Sequence, residues 1–224
     1  MATRSSSSPT RSQDKGNMMN ESLSPDWHSF DPKQLSGRNR RLLHEWIELD
    51  QALEKRNEIE YQILERNTQG LPTAYLITYH IHSIQGVERI DRLNQPGESN
   101  PPIFAPIFRM RINLPINYPC VDGPAAFQFL THDTAGNEIP HPWHPNIRYF
   151  GEFAGRVCLN ALNTHTSLAW CIDRVALYLR YDLYHAIQEP PYPEDPKVAS
   201  WVIHQGEPNE WIFFDQPIGN MTIK

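Results

Sequence analysis

Phe108-Arg109-Met110-Arg111-Ile112-Asn113-Leu114 alternates apolar and polar residues with a strict period of two, the pattern of a strand that buries one face and shows the other to water. The same period runs upstream through Tyr75, Ile77, Tyr79 and Ile81 and through Ile59, Tyr61 and Ile63, and downstream Phe127 and Phe129 mark a short fourth strand. Gly70 to Pro72 separates the first two strands, and Gly86 to Pro102 reads as a long polar link before the third. An antiparallel meander is the economical topology for such a run. Further out the period becomes helical. Leu42, Leu43, Trp46, Ile47, Leu49 and Leu53 recur every three or four residues among charged ones, predicting an amphipathic helix from Arg38 to Lys55. Leu168, Ile172, Val175 and Leu179 repeat that spacing, and Val198, Trp201 and Val202 predict a shorter helix before Gly206. The expected fold is α+β: an N-terminal helix, a four-stranded antiparallel meander, a long loop, and C-terminal helices packed on the sheet.

Composition bounds the function. The chain has 224 residues, 39% of them hydrophobic, which suits one large domain or two small ones. Twenty Lys and Arg against 26 Asp and Glu leave a formal charge of −6, so the chain lacks the global field that drives nonspecific binding to nucleic acid or anionic lipid. No apolar run approaches the length of a membrane span, and the first residues hold no apolar core of a signal peptide. A soluble, cytoplasmic protein is therefore expected, with neither nucleic acid nor membrane among its partners. Residues 1–37, with Ser5 to Ser8 and little apolar content before Trp27, read as a disordered tail. Residues 38–206 then form the domain, and residues 207–224 an extension. Cys120, Cys158 and Cys171 include no Cys-x-x-Cys pair, which argues against a disulfide framework and a four-cysteine zinc site.

Between His132 and Thr166 no period survives, and loops of about 30 residues are uncommon in compact domains and are usually functional or disordered; the composition of this one is not that of a disordered segment. This one carries His141-Pro142-Trp143-His144-Pro145-Asn146-Ile147, then Gly151, then Val157-Cys158-Leu159-Asn160. His144-Pro145-Asn146-Ile147 followed by Val157-Cys158-Leu159 resembles the active-site signature of ubiquitin-conjugating enzymes, which carry a ubiquitin-like protein as a cysteine thioester. Tyr118-Pro119 with Pro124 and Phe127 is similar to that family's Tyr-Pro turn, and Pro193-Glu194-Asp195-Pro196 to its acidic segment beyond the post-cysteine helix. The likeness covers about Arg38 to Gly206. Two features depart from it: some four extra residues between Asn146 and Cys158, and Thr166-Ser167-Leu168 in place of Trp-Ser-Pro. These departures, with the long link before the third strand, look closest to divergent bacterial relatives from ubiquitin-like conjugation operons, some of which serve antiviral defence.

The resemblance implies a role for each residue. Cys158 is the expected nucleophile, against the alternative of a buried structural thiol, which is the expected state of Cys171 and Cys120. Asn146 is expected to donate its amide either to the oxyanion formed when lysine attacks the thioester or to the backbone of the loop. His144 fits a loop-ordering histidine better than a general base. Trp143 stands where an aromatic walls the site, with Pro145 stiffening the loop. Asp195 matches an acidic gate residue able to orient a lysine and help remove its proton, against the alternative of a solvated turn Asp. Arg38, Arg40 and Arg41 crowd the first turn of the first helix, where the helix dipole disfavours cations. Local stability does not account for them in the sequence, so they are candidates for docking an activating enzyme. The implied partners are a ubiquitin-like modifier, its activating enzyme and target lysines, with no metal and no cofactor. Two other readings stand beside this one. One is a noncatalytic module of the same fold that binds ubiquitin-like proteins. The other is a hydrolase or zinc site built on His141, His144 and Cys158.

Overall fold

The computed structural model describes residues 26–35, 37–120, 122, 124–159 and 163–213. Helix α1 spans Gly37–Leu53, close to the span expected, and buries Leu42, Leu43, Trp46, Leu49 and Leu53 along one stripe. Glu45 shares that stripe and is fully buried too. Strands β1 (Ile59–Arg66), β2 (Pro72–Tyr79), β5 (Phe108–Asn113) and β6 (Ala126–Phe129) form one antiparallel sheet in the order β1-β2-β5-β6. Register aligns the apolar positions: Ile77 lies opposite both Tyr61 and Met110, and Met110 opposite Phe129. Helix α2 (Leu168–Leu179) lies with α1 on the apolar face, where Ile77, Met110, Leu49, Ile172 and Val175 are all completely buried.

The link expected from Gly86 to Pro102 holds regular structure at both ends. Strands β3 (Ser83–Val87) and β4 (Pro102–Ala105) pair antiparallel with a bulge between Ile84 and Gly86. Alternation fails there because β3 is covered on both faces: Ser83, Ile84, Gly86 and Val87 are all buried. The turn between the two strands is closed by Asn100, whose amide donates to the carbonyls of Glu88 and Arg89, and whose own carbonyl accepts from the Trp201 indole at 2.9 Å.

A second core lies between β3 and the C-terminal segments. Helix α3 (Pro196–Trp201) continues through a wider turn at Val202–Gly206. Trp143, Val198, Trp201 and Val202 pack with Ile84 and Tyr181, and beyond the expected boundary at Gly206 Ile212 is buried against them. At the other end, residues 26–35 are more ordered than their composition suggests. Two short 3-10 turns lay Phe30 edge-on against Trp46, and the Trp27 indole donates to Asp50 at 3.0 Å. The remainder of the expected tail, residues 1–25 and residue 36, and of the extension, residues 214–224, lies outside the described residues. Among the described residues, no helix is long and apolar enough to cross a membrane.

Candidate active site

The segment from His141 to Leu159 bridges the two cores. Trp143 inserts into the second core, and Ile147 and Leu159 into the first. Its two motifs meet as a short ribbon. Ile147 and Val157 form an antiparallel bridge, the Cys158 N–H donates to the Asn146 carbonyl at 2.9 Å, and the Arg148 N–H donates to the Arg156 carbonyl at 2.8 Å. Residues 155–157 in turn extend the main sheet beyond β6: Gln128 bridges to Arg156, and the Val157 N–H donates to the Phe127 carbonyl. The extra residues between the motifs are thus an excursion leaving and rejoining one ribbon. Gly155 lets it close. Its φ is +87°, and a Cβ there would lie 2.1 Å from the Phe129 carbonyl oxygen, so no other residue fits.

Cys158 is half-buried at the end of this ribbon, just before residues 160–162, which lie outside the described set. Its carbonyl accepts from the Tyr178 hydroxyl of α2 at 3.2 Å. Cys171, one turn into the same helix, is buried, and that burial pushes its thiol up to about 12. A thiol held protonated at neutral pH is a poor nucleophile. Cys120, expected to be a buried structural thiol, is instead exposed beside the Tyr118-Pro119 turn.

Asn146 is buried, and its side-chain oxygen accepts from the His185 N–H at 2.9 Å. With the oxygen accepting from the backbone, any further bond as donor falls to the amide NH2. The His144 Nδ1 accepts the Asn146 N–H at 3.1 Å, so this nitrogen carries no proton, and the ring stacks on Tyr178 with centroids 4.8 Å apart. Complete burial drives the His144 pKa down to about 3, so the ring is neutral and holds the loop. The Pro145 carbonyl accepts the Asp195 N–H at 3.0 Å, tying the loop to the acidic segment. Trp143, expected to wall the site, is turned into the second core. It is wholly buried edge-on against Trp201 and Tyr149, because the loop must fill the second core at that point.

Asp195 also departs from expectation. Only 2% exposed, it caps α3 by accepting from the Lys197 and Val198 N–H groups and holds the excursion through those of Tyr149 and Phe150. An amine-orienting carboxylate has to be open to its amine, whereas this one is turned onto backbone donors. Its neighbour Glu194 pairs with Arg148 and Arg156 at either foot of the excursion. The three arginines of α1 have partners within the chain. Arg38 donates to the Leu114 and Pro115 carbonyls, Arg40 to that of Leu35, and Arg41 to the Thr166 carbonyl and to Glu45. Satisfying loose carbonyls and a buried carboxylate accounts for them, and the local-stability premise against them falls.

Glu45 was not anticipated. It accepts from Arg41, from the Tyr118 hydroxyl and from the N–H of Leu168, the first residue of α2, so one carboxylate joins α1, the Tyr-Pro turn and the helix after the cysteine. Its signal was its register, since positions 42, 45, 46, 49 and 53 form one helical stripe. Tyr178 and His185 carried no comparable signal. Of the histidines in the zinc alternative, His141 stacks on Tyr149 at 4.3 Å, and the His144 Nδ1 accepts from Asn146. Among the described residues no group of three or more His, Cys, Asp or Glu is placed to hold a metal ion.

No family model matches the chain, and no curated protein sequence matches it. Solved structures similar to it include the ubiquitin conjugating enzyme Pex4p of H. polymorpha in complex with the soluble domain of Pex22p, at 15% identity and a TM-score of 0.47, covering 79% of this chain and 93% of that one. A ubiquitin conjugating enzyme E2 from Plasmodium falciparum is 18% identical with a TM-score of 0.39, covering 63% and 96%. Human ubiquitin-conjugating enzyme E2 G1 is 15% identical with a TM-score of 0.38, covering 67% and 97%.

Proposed function

We propose that this chain is a conjugating-type transferase that accepts a ubiquitin-like protein from an activating enzyme as a thioester on Cys158 and passes it to a lysine. The observation that carries the reading is the ribbon: the Cys158 backbone is hydrogen-bonded to Asn146, whose side chain is held through its oxygen by the His185 N–H. In the first step the Cys158 thiolate attacks the thioester carbonyl presented by the activating enzyme. The new S–C bond forms as the old one breaks, and the activating enzyme's thiolate leaves. One thioester replaces another, so no further energy input is needed. In the second step a neutral lysine Nζ attacks the same carbonyl, and negative charge develops on its oxygen. The Asn146 amide donates to that oxyanion. Collapse breaks the S–C bond, Cys158 leaves as thiolate, the ammonium proton passes to solvent, and an isopeptide bond remains. Asp195 serves here as a positioning residue, holding the excursion and α3 around the site.

The test uses ubiquitin carried as a C-terminal thioester of a small thiol, together with ubiquitin, ATP and an activating enzyme in a parallel arm. A nonreducing gel should show an adduct that dithiothreitol cleaves, that Cys158→Ala abolishes, and that Cys120→Ser and Cys171→Ala leave intact. An adduct that persists in Cys158→Ala would overturn the assignment.

A further inference from the structure

The nucleophile's backbone is gripped from two sides, and only one of them comes from the motif-bearing loop. On one side the Cys158 N–H donates to Asn146. On the other the Tyr178 hydroxyl donates its proton to the Cys158 carbonyl, while the same oxygen accepts from Arg174 Nε at 3.2 Å, one helical turn earlier. A phenol has a single proton, and an arginine Nε can only donate. The direction of both bonds is therefore fixed: Arg174 to Tyr178 to Cys158. The Tyr178 ring is immobilised as well, stacked 18° from parallel on His144, and the Arg174 guanidinium lies 5.2 Å from the centre of the Trp170 ring. Leu159, which follows Cys158, is anchored in the core.

We propose that Tyr178, oriented by Arg174, is a positioning residue that fixes the peptide plane after Cys158 and thereby the aim of its sulfur. Reactions between held groups depend steeply on such aim, and a displacement of about 1 Å can cost a hundredfold in rate. The pair sits on the helix after the cysteine, where no motif falls, and it deepens the function proposed above, on which its kinetic arm rests.

Tyr178→Phe removes only the hydroxyl and keeps the ring on His144. Arg174→Met removes the donor and keeps the stem, and Arg174→Lys restores a donor. Uptake of ubiquitin from its small-thiol thioester should show kcat lowered about tenfold in Tyr178→Phe and in Arg174→Met with KM unchanged, since the bond aims the nucleophile and does not bind the modifier. The double variant should be no slower than Tyr178→Phe, because the two residues act in series, and Arg174→Lys should recover most of the rate. Independently of any activity, amide hydrogen exchange at Cys158, read by NMR on the full chain, should speed up about fivefold in Tyr178→Phe, because releasing the carbonyl of this residue eases local opening of the ribbon, with the thermal midpoint lowered by no more than about 4 °C. Wild-type exchange at Cys158, or wild-type kcat, in Tyr178→Phe overturns the inference, as do losses that multiply in the double variant. If wild-type protein takes up no modifier, the proposed function falls and the exchange measurement alone decides this one.

Discussion

In the proposed reaction, two side chains take opposite duties from their surroundings. His144 is sealed among Tyr178 and Tyr181 and neutral, its Nδ1 holding the loop. An unfolded histidine titrates near ~6.5, and in the folded chain the value is about 3. Between these limits the unfolded chain binds a proton that the folded chain refuses. Stability therefore falls as pH drops from about 6.5 toward 3, and His144 imposes no penalty above that window. Replacing it by Gln should flatten the pH dependence of the urea midpoint between pH 7 and 4.5. Some slope should remain, because burial lowers His141 in the same direction. A slope as steep as wild type would place the titration elsewhere. Asn146 is separable by isostere. Asn146→Asp keeps an acceptor for the His185 N–H and loses the amide donor, so loading of Cys158 should persist while discharge to free lysine slows by about 10²–10³-fold. Discharge at the wild-type rate from loaded Asn146→Asp would reduce Asn146 to a loop-shaping residue. The sequence shows which residue types gather in the loop, but not which way they face. Trp143 and Asp195 look like site residues by position, and the structure turns both inward.

Elements with one buried face were legible from sequence, and those buried otherwise were not. The stripes of α1 and α2 and the alternation of β2 and β5 follow directly from one-sided burial. Strand β3 is enclosed on both faces and interrupted by a bulge, so it carries no alternation to read. Residues 146–148 and 155–158 pair only through isolated bridges, and the excursion that joins them hides the ribbon in sequence. Glu45 escaped because counts of apolar residues discard an acid at a core register. Its position predicts a large effect. Glu45→Ala would leave Arg41 and Tyr118 without their buried partner and the Leu168 N–H without an acceptor, and breaking such a pair costs about 3–5 kcal/mol. For a domain of this size that is a fall of about 10 °C in Tm, to be read by calorimetry. A change of less than about 2 °C would show that the carboxylate does not tie α1 to α2.

At the scale of the whole molecule, two cores share one loop. The first lies between sheet and helices, the second between the β3–β4 hairpin and the C-terminal segment, and His141 to Ile147 crosses from one to the other. The second core includes residues past the boundary drawn from sequence: Ile212 is 1% exposed, Trp211 stacks on Trp201 at 6.2 Å, and Glu207 accepts from Tyr184. A chain ending at Gly206 should therefore unfold at lower urea than one ending at Phe213, by about 2 kcal/mol or more for the lost Ile212 alone, and equal midpoints would detach that segment from the core. In the proposed function this architecture serves the chemistry of one sulfur, and the bond that sulfur would make can be identified directly. Cys158→Ser offers an oxygen in the same place, so with ubiquitin, ATP and an activating enzyme it should give an intact-mass adduct, mapped to the substituted position, that resists dithiothreitol and yields to hydroxide, as an ester does. The wild-type adduct should yield to both reagents. A modifier found on any lysine in place of that position, or adducts of equal dithiothreitol resistance in the two proteins, would contradict thioester transfer through Cys158.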